Sequence, residues 1–144
     1  MRIYLDNCCF NRPFDDQSQF KIKLESEAKL FIQAKISNKQ IELVWSYVLD
    51  YENDFNPFEA RKDSIKKWKN YAVVDIEETG RIIEKARMIM NSGIKSKDAL
   101  HVACSIVARC DYFLTTDTQL INKLRDLEEI AVINPLSFIS LKEE

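Results

Sequence analysis

Four acidic residues of this 144-residue chain are placed where they could bind a divalent cation together: Asp6, Glu52, Asp98 and Asp117. Asp6 ends the apolar run IYL, Asp117 follows the run YFLT, and Glu52 lies six residues beyond the end of LVWS. Carboxylates that converge without matching bases repel one another, and burying them is costly unless a cation pairs with them. Oxygen ligands from several carboxylates suit Mg²⁺ or Mn²⁺, and such ions can activate water for attack on a phosphodiester.

Each acid also has a simpler interpretation. Asp98 and Asp117 stand at predicted helix starts, where capping and the helix dipole favour acidic side chains. Asp6 could be a turn residue, and Glu52 could lie on a solvated helix surface. A shared site therefore requires a fold that brings the four positions together.

The elements that must position these acids alternate along the chain. The predicted strands are 2–6, 41–46, 71–76, 111–116 and 131–134. The predicted helices are 18–37, 47–54, 77–90 and 96–109, with two more beginning at 56 and 117. Because parallel strands need helical crossovers, this order predicts a three-layer α/β/α sandwich with a mostly parallel central sheet. Ligands of such sheets collect beyond the carboxyl ends of the strands, where three of the acids are expected.

The composition predicts one packed domain over residues 1–144, since 46% of the residues are hydrophobic. No apolar run approaches the roughly 18 residues needed to cross a membrane. The N-terminus shows none of the features of a secretory signal, so we expect a cytoplasmic protein with no membrane partner. The net charge of −2 is weak evidence against binding nucleic acid by charge alone.

The cysteines and the only histidine do not form a recognisable metal motif. They are Cys8, Cys9, Cys104, Cys110 and His101. Without a CxxC pair or a second histidine, a structural zinc site is not predicted, and we interpret the cysteines as small buried residues. His101 lies three residues after Asp98 and shares its helix face. We interpret His101 as a packing residue, with a catalytic role as the alternative.

Four motifs, in order, resemble those of the PIN domain family, the fold of many bacterial toxin-type ribonucleases. IYLDNCCFNRP is similar to the family's first strand and aspartate, and LVWSYVLDYEN to its serine with an acid six residues on, which selects Glu52 over Asp50. SKDALHVACSI resembles its helical aspartate, and YFLTTDTQL its strand ending in Thr-x-Asp. The resemblance covers nearly all of residues 1–135.

The resemblance implies a metal-dependent endoribonuclease that hydrolyses RNA phosphodiesters with an activated water. The residues implied to hold Mg²⁺ or Mn²⁺ and to form the catalytic cluster are Asp6, Glu52, Asp98 and Asp117. Asn7 and Thr115 are implied to support that cluster. Toxin members of the family work with an antitoxin that blocks the site, often with dimerisation. The implied partners are therefore an RNA substrate, an antitoxin and a second copy of the chain in a homodimer.

The chain departs from the family's pattern after its last aspartate. Thr118 and Gln119 stand where some members have a further acid, so this edge carries a single one. Because the chain is acidic overall, an RNA path must depend on local positive charge, and the candidates are Arg12, Lys95 and Lys97. We interpret the basic run 61–69 as a solvated helix face. Contacts with phosphates would make binding sensitive to salt and independent of sequence.

Two other functions are alternatives. One is a catalytically inactive or regulatory PIN-like module that binds nucleic acid, which the presence of all four acids disfavours. The other is a different magnesium-dependent phosphohydrolase. A haloacid-dehalogenase-type phosphatase needs a second aspartate two residues after the first, where this chain has Cys8. A receiver domain needs an acidic pair before its phosphorylated aspartate and a lysine late in the sheet, and neither is found here.

Overall fold

A five-stranded parallel sheet lies at the centre of the computed structural model, which describes residues 1–142, so the last two residues of the predicted domain 1–144 lie outside it. The strands are β1 (Arg2–Leu5), β2 (Glu42–Ser46), β3 (Ala72–Ile76), β4 (Tyr112–Leu114) and β5 (Ala131–Ile133). Their order across the sheet is β3-β2-β1-β4-β5, and all neighbours pair in parallel. The predicted α/β/α architecture is confirmed, with a sheet that is parallel throughout.

Helices connect and flank these strands. They are α1 (Asn7–Asn11), α2 (Phe20–Ser37), α3 (Tyr47–Asp54), α4 (Glu59–Lys66), α5 (Gly80–Met90), α6 (Ser96–Val107), α7 (Thr118–Lys123) and α8 (Pro135–Lys142). Two 3₁₀ segments, Arg12–Phe14 and Lys67–Tyr71, complete the connections. Within residues 1–142, no helix has both the length and the apolar character that a bilayer crossing requires.

Two helices were not predicted, one near each end of the chain. The segment after β1 reads as a break, yet it forms α1, because Asp6 caps the helix by accepting the backbone N–H of Asn7 at 2.8 Å. Pro135 closes the predicted last strand and also begins α8. Proline fits the first helical position, and Asn134 accepts the backbone N–H of Leu136 at 2.8 Å.

Capping explains where α5 begins. The helix expected from Glu77 begins at Gly80, because the Thr79 hydroxyl accepts the backbone N–H of Ile82 at 3.3 Å. Helix α6 begins at Ser96 as predicted, and Lys95 takes the cap position with no side-chain hydrogen bond.

The central strand β1 positions the carboxyl edge of the sheet. Its residues from Ile3 to Leu5 are fully buried, and the ring of Tyr4 stacks on Phe113 of β4 with centroids 5.3 Å apart. The chain leaves β1 for β2 on one side and later returns to β4 on the other. The carboxyl ends of β1 and β4 therefore flank a topological switch point, the usual ligand crevice of an open α/β sheet.

Three of the four cysteines are buried in the core as predicted. All four are free thiols, and Cys9, Cys104 and Cys110 are buried. Cys8 is only partly buried, and its Sγ lies 3.5 Å from a carboxylate oxygen of Asp6. Burial raises the pKa of the Cys104 and Cys110 thiols to about 12, so both remain protonated at neutral pH.

Candidate metal-binding active site

Asp6 is the innermost acid of the crevice, because it follows the central strand directly. Its Oδ1 accepts the backbone N–H of Asn7 at 2.8 Å, and its Oδ2 accepts the Thr115 hydroxyl at 2.8 Å. The Thr115 hydroxyl oxygen also accepts the backbone N–H of Asp117 at 3.1 Å. The loop after β4 is thus fixed to the residue that ends β1, and both oxygens of Asp6 are oriented.

Glu52 reaches the same crevice from α3. Its Oε1 lies 2.6 Å from His101 Nε2, and its Oε2 accepts the Asn7 side-chain amide at 3.2 Å. Burial alone would raise the pKa of Glu52, but the hydrogen bond from His101 and the nearby charge of Lys97 bring it below its ordinary value. Glu52 is therefore a carboxylate at neutral pH.

His101 is connected to the sheet through a buried chain of hydrogen bonds. Its Nδ1 lies 2.6 Å from the Tyr4 hydroxyl, which lies 2.6 Å from Ser46 Oγ. Ser46 Oγ also accepts the backbone N–H of Leu49 at 3.2 Å. Every donor has an acceptor when Ser46 donates to Tyr4, Tyr4 donates to Nδ1, and Nε2–H donates to Glu52. This arrangement orients the imidazole and directs Nε2–H at the carboxylate.

The position of His101 confirms its interpretation as a packing residue and adds contacts with two acids. The side chain is fully buried and lies edge-on to Tyr4, with ring centroids 5.6 Å apart, so the packing part holds. It also contacts Glu52 and lies 4.0 Å from Asp6. The sequence contained one signal for this, since Asp98 was assigned to the site and shares a helix face with His101.

Asp98 and Asp117 line one small cleft of about 80 Å³ beside this cluster. Asp98 lies in the first turn of α6, and its burial together with the charges of Asp6, Asp117 and Glu52 raises its pKa. Asp117 is exposed and caps α7, where its Oδ1 accepts two backbone N–H groups. The interpretation of Asp117 as a helix cap is confirmed. The charge of Asp117 also helps to raise the pKa of Asp98.

The donor set fits a divalent cation. Asp6, Glu52 and His101 each place one potential ligand atom within 4.8 Å of the others. Because the Nε2 proton of His101 is used on Glu52, the carboxylates are the available donors, with Asp98 close enough to be repelled by them. Hard oxygen donors suit Mg²⁺ or Mn²⁺.

Asn7 adds a further oxygen to this donor set. Its amide nitrogen donates to Glu52, whereas its Oδ1 is buried and has no hydrogen-bond partner among the described residues. A buried carbonyl oxygen without a donor is energetically unfavourable. Beside the acids, a cation or its bound water would satisfy it.

Of the three basic residues predicted to contact RNA, two lie at the site and one lies elsewhere. The Nζ of Lys97 lies 3.8 Å from Glu52 at the rim of the site, and the exposed Lys95 lines the cleft beside Asp98. Arg12 is engaged elsewhere, with its Nε 2.9 Å from the buried carboxylate of Glu25. The structure thus brings the two lysines to the site, and a contact of Arg12 with RNA stays a prediction.

Comparisons with known proteins confirm the fold. No family model and no curated protein matches the chain. The crystal structure of VapBC2 from Rickettsia felis bound to a DNA fragment from their promoter is similar, with a TM-score of 0.59 and 11% identity over 93% of this chain and 98% of that chain. The crystal structure of PAE2754 from Pyrobaculum aerophilum is similar at a TM-score of 0.56 and 13% identity, over 100% and 91%. The chain is a PIN-like α/β/α protein.

Proposed function

We propose that this protein is a metal-dependent nuclease that hydrolyses phosphodiester bonds of RNA. The observation that carries the proposal is the convergence of Asp6, Glu52 and Asp98 at the carboxyl edge of a PIN-like sheet. A bound Mg²⁺ or Mn²⁺ supplies an activated water and stabilises the charge that develops on phosphate oxygens. Burial and the mutual repulsion of these carboxylates raise the pKa of Asp98, which supports the requirement for a cation.

The residues of the chain hold this site in one geometry. Thr115 and a backbone N–H fix the two oxygens of Asp6, and His101 and Asn7 fix those of Glu52. Ligands that are oriented in advance lose little freedom when they bind, which favours both affinity and correct geometry. Lys97 stands at the rim, where its ammonium group could contact a phosphate as a point charge.

The substitution Asp6→Asn tests the proposal, because it removes charge and keeps shape. We expect the wild-type protein to cleave a labelled single-stranded RNA in the presence of Mg²⁺ or Mn²⁺. Cleavage should stop when EDTA is added. Asp6→Asn should lower the rate of RNA cleavage by more than the about 10- to 100-fold that is typical when a hydrogen-bond partner of a metal ligand is changed. Asp126→Asn, an exposed acid outside the cluster, is the matched control and should cleave normally. Equal rates of RNA cleavage by Asp6→Asn and Asp126→Asn would refute the proposed nuclease function.

The same experiment separates the alternatives. A protein that binds RNA and Mn²⁺ without cleaving would be the inactive or regulatory binding module. Hydrolysis of small phosphate monoesters in place of RNA would indicate the other class of magnesium-dependent phosphohydrolase. Heat of Mn²⁺ binding, measured by calorimetry for wild type and Asp6→Asn, gives a readout of the site that does not depend on activity.

The likeness to the VapBC2 structure supports a further part of the proposal, that this nuclease is the toxin of a toxin–antitoxin pair. Expression should then arrest growth, and both Asp6→Asn and coexpression of an adjacent open reading frame should relieve the arrest. Harmless expression of an active enzyme would contradict this role. A homodimer and a cytoplasmic location stay predictions, and light scattering of the purified protein measures the first.

A further inference from the structure

A small cavity lies between α1, α2 and α4 and shares no lining residue with the acidic cluster. It encloses about 100 Å³, which is room for about three water molecules or for one ligand of similar size. We call it the α2–α4 cavity and define it by five of its lining residues: Phe10, Lys29, Gln33, Ser64 and Trp68.

Lys29 brings a positive charge to this cavity without a negative charge to balance it. Its side chain is 3% exposed, and within residues 1–142 no carboxylate forms an ion pair with it. The partly buried Arg12, Arg61 and Lys85 each pair with a carboxylate at 3.4 Å or less. An ammonium group that is buried without a counter-ion is unfavourable, and burial lowers the pKa of Lys29 to about 7. A negative charge beside its Nζ would offset this cost.

Gln33 adds a second donor to the same cavity. It lies one helical turn after Lys29 on α2, so the two side chains share a face of the helix. Gln33 is 6% exposed, and its Nε2 is buried with no hydrogen-bond partner among the described residues. A buried N–H group that stays unpaired is costly. Ser64 of α4 contributes a hydroxyl to the lining. The polar groups of the cavity are therefore complementary to a hydrogen-bond acceptor.

The other walls of the cavity restrict the charge of such an acceptor. The ring centroids of Phe10 and Trp68 lie 5.3 Å and 5.9 Å from the Nζ of Lys29. Lys29 is the only charged residue among those that line the cavity, so a monovalent anion would form a neutral pair with it. A dianion would leave a net charge among aromatic rings, where few donors replace its hydration.

We infer that the α2–α4 cavity binds a small monovalent oxyanion such as formate, held by the Lys29 ammonium and the Gln33 carboxamide. The two donors lie on one helix face, and the two oxygens of a carboxylate group can accept from both. An ordered water would serve Gln33 but would leave the charge of Lys29 unbalanced. The site is independent of the proposed nuclease function, because the cavity and the acidic cluster have no residue in common.

Titration of the protein with sodium formate at about pH 6, where Lys29 carries its charge, tests this inference. The readout is the indole N–H resonance of Trp68 in isotope-labelled protein. The chain has two tryptophans, and the variant Trp68→Phe assigns the signal. Formate should shift the resonance saturably, with a Kd on the order of 1–10 mM, as expected for a very small ligand. Sodium sulfate at the same ionic strength should cause no saturable shift.

Two substitutions in the cavity and one control make the titration specific. Lys29→Met should raise the Kd for formate at least about 10-fold, because a charge-assisted hydrogen bond is lost. Gln33→Glu should abolish formate binding, because it places a carboxylate of the same shape beside the ammonium group. Lys23→Met removes an exposed lysine from the same helix and should bind formate as the wild type does.

Four results would overturn the inference. No saturable shift in the wild type up to about 100 mM formate would mean that water serves these donors. An equal Kd for Lys29→Met and the wild type would place the anion elsewhere, and an equal response to sulfate would contradict a monovalent site. Unchanged formate binding by Gln33→Glu would be equally contrary, and this variant keeps Lys29 and the volume of the side chain. None of these results affects the nuclease proposal, which depends on the cleavage rate of Asp6→Asn.

Discussion

Lys29 differs from the surface lysines because its side chain lies inside the protein. It is 3% exposed, and its Nζ lies 5.3 Å from the ring centroid of Phe10 and 5.9 Å from that of Trp68. Ring faces attract a cation, but they do not replace its hydration. Burial lowers the pKa of Lys29 to about 7, so the residue titrates near neutral pH.

We predict that Lys29→Met removes a pH dependence of stability between about pH 7 and about pH 10. The folded pKa lies below the unfolded one, so the unfolded chain binds this proton more tightly. The cost of burying the charge is therefore full below about pH 7 and declines as the pH rises, by about 1.4 kcal/mol per unit from this residue. Methionine keeps the apolar stem without a charge. Urea unfolding of both proteins at about pH 6 and about pH 9 measures the difference.

The matched control is Lys23→Met, an exposed lysine on the same helix, which should keep the wild-type slope. Comparison with the variant also removes the contribution of the buried thiols, whose raised pKa values act in the opposite direction at alkaline pH. Parallel curves for wild type and Lys29→Met would show that Lys29 is solvated in solution.

Single residues were predictable from the sequence where their role depends on position along one segment. Asp6 and Asp117 follow apolar runs, and that alone indicates the carboxyl edge of a sheet. The role of His101 depends on Tyr4, which lies 97 residues before it on β1, and on Ser46, which ends a different strand, β2. No local spacing reveals such a contact.

At the scale of elements, Ser46 belongs to three structures at once. It ends β2, caps α3 through the N–H of Leu49, and hydrogen-bonds Tyr4 of β1. Thr79 has only the capping task, since its hydroxyl accepts the backbone N–H of Ile82 in α5. The two residues therefore offer a comparison between a cap that orients the cluster and a cap that does not.

We predict that Ser46→Ala and Thr79→Ala both lower the free energy of unfolding by about 1 kcal/mol, as loss of a helix cap does. Only Ser46→Ala should weaken Mn²⁺ binding, by about 10-fold, because it disturbs the hydrogen-bond chain through His101 to Glu52. Urea unfolding and calorimetry with Mn²⁺ give the two quantities. Unchanged Mn²⁺ affinity in Ser46→Ala would mean that the chain does not orient the ligand.

The five strands and most of the helices were predictable, whereas α1 and α8 were not. The alternation of apolar runs and periodic stretches determined all five strands and the order of the main helices. Helix α1 has only five residues, too few for periodicity to stand out from a loop, and α8 begins at the proline that closes the predicted last strand. Both are formed through their caps, Asp6 and Asn134, whose geometry depends on the neighbouring strand end.

At the scale of the whole molecule, the candidate site joins segments that are distant in sequence. Asp6 follows β1, Glu52 lies on α3, and Asp98 lies on α6. An ion that binds these three together binds the folded chain and has no comparable site on the unfolded one. Metal binding and global stability are therefore linked.

We predict that Mn²⁺ stabilises the wild-type protein and leaves Asp6→Asn almost unaffected. At 100 times its Kd, the ion adds about 2.7 kcal/mol to the free energy of unfolding. Thermal unfolding with and without Mn²⁺ measures the shift in Tm, and Asp126→Asn should shift as the wild type does. A similar shift in Asp6→Asn would place the binding of the ion elsewhere.

The central place of β1 in the sheet has a consequence for synthesis. The residue that fixes Asp6, Thr115, is 109 residues further along the chain. At about 5–20 residues per second, roughly 5–20 s pass on the ribosome before this partner exists. During that time the emerging chain also lacks the strand beside β1 on that side. If the site cuts RNA, a nascent molecule is unable to do so until β4 and Thr115 have been synthesised.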